Sequence, residues 1–157
     1  MIHLKSQSLT TQSALLTGLA GGATAQAMSL WGGDLARFLP PLPFLTLAAA
    51  FGGACAGAVL ARALGRSGWI GVMICAIAWP IATLLGAVLA AIPFGLVDAS
   101  MHVSATEMLF TAVENAAPLG LLAVGDGIAN SPYVATIWVL SATCIHIILR
   151  RERSLST

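Results

Sequence analysis

Residues 69–97 read WIGVMICAIAWPIATLLGAVLAAIPFGLV, a run without one charged side chain. About 20 helical residues, at about 1.5 Å each, cross the hydrocarbon core of a bilayer, so this run spans it with length left for tilt or a bend. It sits inside a longer gap: between Arg66 and Arg150 lie 83 residues with no lysine or arginine. The charges outside it sort by sign. Six of the seven basic residues (Lys5, Arg62, Arg66, Arg150, Arg151, Arg153) flank the ends of apolar stretches, and five of the six acidic ones (Asp34, Asp98, Glu107, Glu114, Asp126) fall in the alternate gaps. A water-soluble surface mixes both signs, whereas a chain threaded through a bilayer keeps its basic residues on the cytoplasmic side.

Composition points the same way. Of 157 residues, 58% are hydrophobic and 8% charged, where a soluble domain carries about a quarter charged residues. The length fits a single transmembrane domain over 1–157. Nucleic-acid binding is excluded, because no basic cluster exceeds Arg150-Arg151-Glu152-Arg153, which reads instead as a cytoplasmic anchor near anionic headgroups. Cys55, Cys75 and Cys144 all lie in apolar runs and read as small buried hydrophobes. They form no CxxC motif and no disulfide framework.

Four spans are expected, over about 13–31, 43–64, 69–97 and 132–149, giving an all-α membrane protein with both termini cytoplasmic. The first is weakly hydrophobic because of Gly18, Gly21, Gly22, Thr24 and Gln26, yet uncharged. Ala25-Gln26-Ala27 resembles a signal-peptidase site, but the glycine-broken apolar part and the single preceding Lys5 favour a retained helix. Pro80 falls near the middle of the third span and predicts a hinge; Pro93-Phe94-Gly95 predicts its end. Ser131 is placed to cap the fourth, with Pro132 at its first helical position.

The segment 98–131 is expected outside the membrane. Its apolar run 119–124 is too short to cross, and a fifth span would put Arg150, Arg151 and Arg153 opposite Arg62 and Arg66. Ser104-Ala105-Thr106-Glu107 fits a capping box, opening a short amphipathic helix with Glu107, Thr111 and Glu114 on one face and Pro118 and Gly120 ending it. Such a helix suits docking on a partner. Gly125-Asp126-Gly127 reads as a turn.

Small residues recur every four positions: Gly18, Gly22 and Gln26 in the first span, Ala49, Gly53, Gly57 and Ala61 in the second, Ala78, Ala82, Gly86 and Ala90 in the third. Spacings of this kind let helix backbones approach closely in lipid, within one chain or between subunits. Apart from Arg62 at the end of the second, no span contains Asp, Glu, Lys or Arg. Ion-coupled transporters usually carry such a group in the membrane, so active transport is disfavoured. Gln26 and Thr83 are the candidates for lining a polar path. His146 reads as an interfacial histidine near a helix C-terminus, and Cys144, two positions away, points to nearly the opposite face. Neither forms a metal or haem site, and no cofactor is expected. The acidic groups with His102 match no ligand or catalytic spacing.

The expectation is therefore a small, non-enzymatic multi-pass protein of a bacterial inner membrane, a location suggested by its alanine-rich, lysine-poor usage. It would act by helix–helix association, as an accessory or assembly subunit beside other membrane subunits or its own copies. The alternative is an oligomeric small-solute transporter or channel component, with Pro80, Gln26 and the glycine-rich first helix as its working parts.

Overall fold

Helix forms wherever the apolar runs lie. The computed structural model describes the backbone over residues 2–34, 43–99 and 121–155 together with Glu114 and Pro118, and the side chains over 9–34, 43–90 and 121–155 with the same two residues. Among the described residues five helices are defined: α1 (Ile2–Trp31), α2 (Phe44–Leu60), α3 (Gly68–Ala99), α4 (Leu121–Asn130) and α5 (Pro132–Leu155). Residues 68–90 of α3 and the whole of α5 are long and apolar enough to cross a bilayer, while α2 and α4 are shorter apolar helices. This is an all-helical chain consistent with a membrane protein.

Local chemistry sets the ends. The chain reaches Pro40 before its first proline, so nothing interrupts α1 until Gly32 and Gly33, where the Gly32 N–H closes on the Met28 carbonyl at 2.7 Å. α2 stops at Leu60, four residues before the apolar run does. The chain there tightens into a turn in which the Ala63 and Leu64 amides both donate to the Leu60 carbonyl. Gly65 (φ 71°) and Gly68 (φ 77°) then take left-handed conformations that other residues resist. The Ser131 hydroxyl accepts from the Val134 N–H at 3.4 Å, so Ser131 caps α5 with Pro132 in its first turn.

Three local expectations are corrected. Residues 93–95 do not end α3, which continues to Ala99, and Pro80 also lies inside the helix; neighbouring helices and small backbone adjustments let such helices accept proline. Gly125-Asp126-Gly127 is helical. Gly127 packs on Met28 of α1, and the Asn130 side chain donates to the Asp126 carboxylate at 2.6 Å, a bond one helical turn long. α5 runs to Leu155, six residues past the apolar run, because Arg and Glu are good helix formers. The capping box 104–107, with Glu107 and Thr111, lies outside the described residues. Glu114 and Pro118 are helical and exposed; the expected helix end at Gly120 lies outside the described residues.

The four longer helices, α1, α2, α3 and α5, alternate in direction. α1 packs most extensively on α2, which also packs on α3; α5 lies along α1 and touches α3 lightly. One buried cluster, around Ala20, Leu64, Cys75, Trp79, Ile145 and Leu149, joins α1, α3, α5 and the α2–α3 turn. A second, of Ala27, Met28, Ala123 and Val134, joins α1, α4 and α5 at the opposite end.

Candidate functional site

The closest backbone approaches lie along α2, which carries two stripes of small residues 100° apart. Gly53 faces α1, where a Cβ would come 2.5 Å from the Thr17 carbonyl oxygen, and a Cβ on Gly57 would press on the Thr17 hydroxyl. Gly52 faces α3, where a Cβ would collide with the Gly86 carbonyl oxygen. Gly18 and Gly21 of α1 lie against the Ala50 and Ala49 carbonyls, while Gly22 makes ordinary contact with Thr46 and Ala50. Ala82 is buried on α3. Gly18, Gly22, Gly53 and Gly57 are thus gathered in one seam, and Gly86 closes a second on the other side of α2. Gly52 and Gly21 were not singled out from the sequence. The signal was the doublets Gly21-Gly22 and Gly52-Gly53, since adjacent glycines serve two faces of one helix.

Hydroxyl groups reinforce these seams rather than opening a path between them. Ser13, fully buried, donates to the Gly57 carbonyl across α1–α2 at 2.8 Å. Thr17 and Thr24 donate to the carbonyls of Ser13 and Ala20, one turn back on their own helix. The Thr83 hydroxyl donates to the Trp79 carbonyl at 3.0 Å and accepts from the Trp138 indole N–H at 2.9 Å, tying α3 to α5. Gln26 is exposed, and its side-chain oxygen accepts from Thr46 of α2 at 3.3 Å. Gln26 and Thr83 therefore serve different helix pairs, and no bond links them. Pro80 faces outward.

His146 is buried within the bundle, and it does not lie in the last turn of its helix, because α5 continues nine residues beyond it. Both its ring nitrogens, and the indole N–H of Trp79, lack a hydrogen-bond partner among the described residues. Cys144 is exposed, Cys55 partly buried and Cys75 buried, and all three are free thiols. The exposure of Cys144 corrects the uniform reading of the cysteines as buried: it sits on the outward face of α5, where a bilayer would supply the apolar surroundings. Among the described residues no three of His, Cys, Asp and Glu gather as a metal site.

The two ends of the bundle differ in sign. At one end Trp31 and Tyr133 pair with ring centroids 5.4 Å apart, and Gly33 abuts the Asp126 carboxylate. At the other, Gly65 abuts Leu149, and Arg153 reaches back to the turn after α2. Its guanidinium donates to the carbonyls of Ala61 (2.8 Å), Arg62 (3.1 Å) and Leu64 (3.1 Å). Burial, and secondly the nearby Arg66, push its pKa below the usual arginine value, yet a guanidinium stays charged at any physiological pH.

Large apolar side chains point outward along the whole length. Leu19, Leu47, Phe51, Val59, Trp69, Ile70, Ile77 and Leu140 are all more than half exposed. The chain matches no protein family, no curated protein and no solved structure.

Proposed function

We propose that the chain is a four-span protein of a bacterial inner membrane, with both termini cytoplasmic, that works without catalysis. It would associate in the bilayer with other membrane subunits or with its own copies, as an accessory or assembly subunit. The observation that carries this reading is the segregation of side chains by size. Glycine, alanine and serine fill the α1–α2 and α2–α3 seams, while Leu19, Leu47, Phe51, Trp69, Ile70, Leu140 and other large apolar side chains face out, beside a smaller buried cluster around Leu64, Trp79, Ile145 and Leu149. Soluble helical proteins invert this pattern, and membrane helices adopt it. The glycine seams are occupied inside the chain, so association would use the outward apolar faces.

Support for a solute path is thinner. Gln26 and Thr83 are engaged in separate interhelical bonds, and the titratable His146 is buried, with neither ring nitrogen bonded to a described residue. The test is extraction in mild detergent from the native membrane. A particle larger than the monomer–detergent complex, with identified stoichiometric partners or copies, is the expected result. A monodisperse monomer together with solute flux in liposomes, lost in Gln26→Leu, would overturn the proposal in favour of a transport component.

A further inference from the structure

α1 and α5 do not close on each other along their full length. An open apolar groove of about 250 Å³ runs between them, walled by Leu16, Leu19 and Ala23 of α1 and Ser141, Cys144 and Ile148 of α5. From Leu16 to Ala23 it extends about 10 Å along the helix axis, and it lies toward the basic end of the bundle. Arg151 stands three residues beyond Ile148 and seven beyond Cys144, so the helical period returns it to the groove side of α5. Arg153 is committed to the carbonyls after α2. Arg151, by contrast, is exposed, with no side-chain hydrogen bond or ion pair among the described residues.

We propose that the groove holds one acyl chain of an anionic phospholipid, with the lipid phosphate on the Arg151 guanidinium. This rests on the membrane placement proposed above. Two observations select this occupant. The groove's mouth carries Arg151, whose guanidinium has no hydrogen-bond or ion-pair partner among the described residues. The surrounding end is positive overall: Glu152 is opposed by Arg62, Arg66, Arg150, Arg151 and Arg153, which favours an anionic headgroup over a zwitterionic one.

Cys144 lines the groove and is exposed, so it reports occupancy. Purified full-length protein in detergent is alkylated with N-ethylmaleimide, and modification at Cys144 and Cys55 is followed by peptide mass spectrometry. Added short-chain phosphatidylglycerol should slow Cys144 alkylation about fivefold relative to phosphatidylcholine, as one cation–headgroup contact implies, and should leave Cys55 unchanged. Arg151→Gln should remove that difference. Ala23→Phe, which fills the groove and leaves Arg151 in place, should also remove it, so the result does not hang on one variant's folding. Equal protection by the two lipids, or a preference that survives both variants, overturns the site. Because the readout involves neither topology nor a partner, its failure is distinguishable from failure of the association reading.

Discussion

Arg153 shows how one side chain fixes the relation of two distant segments. The carbonyls at the end of α2 lack helical partners, and they carry the negative end of that helix's dipole. A guanidinium from a residue 89 positions away from Leu64 satisfies three carbonyls there at once. Its planar fork suits divergent acceptors better than an ammonium does. Arg153→Ala should therefore cost about 2 kcal/mol, the scale of hydrogen bonds made by a charged group, and Arg153→Lys should restore less than half of it. Thermal unfolding of the purified protein in detergent checks this, and an unchanged midpoint in the alanine variant would refute it. In the sequence Arg153 was indistinguishable from its neighbours Arg150 and Arg151 as a headgroup anchor. Only the fold shows that one of the three is tied to the turn after α2.

At the scale of elements, the sequence revealed which stretches are helical and which positions are small, because both depend on local pattern. It did not reveal how many neighbours each helix has. A single stripe such as Gly53-x-x-x-Gly57 describes a helix with one close partner, but α2 lies between α1 and α3 and needs Gly52 as well. The reading of 125–127 as a turn failed for a related reason. Glycine signals a break by default, yet Gly127 is small because Met28 and Val134 crowd it. These two uses of glycine respond oppositely to substitution. Gly52→Val pushes a side chain into the α3 backbone at Gly86 and should destabilise the bundle by about 1–3 kcal/mol or prevent its assembly. Gly125→Ala meets open space within a helix, so it should be neutral or stabilise by up to about 1 kcal/mol. Detergent-solubilised yield and unfolding midpoint compare the two, and a Gly52→Val protein as stable as wild type would mean α2 and α3 are not packed at this seam.

For the whole molecule, the sign segregation that first suggested a membrane has a geometric counterpart. Arg62 and Arg66 lie far from Arg150 and Arg153 in sequence, but the Arg153 bonds bring both groups to one end. Asp34, Asp126 and the Trp31–Tyr133 pair stand at the other. A bundle with one basic and one acidic end has one favoured orientation, basic end in, and aromatic rings at the acidic end suit the opposite interface. With the native cysteines replaced, single exposed positions can report this. Ala129→Cys should react with a membrane-impermeant maleimide on intact cells, whereas Ser67→Cys and Ser154→Cys should react only after permeabilisation. Labelling of the last two alone would mean the orientation is reversed. A split between Ser67→Cys and Ser154→Cys would be more damaging, because Arg153 holds the turn beside one next to the helix end that carries the other. That outcome would require an odd number of crossings between them and would break the contact on which the bundle's closure depends. The same experiment thus tests both the orientation inferred from charge and the packing that brings the charges together.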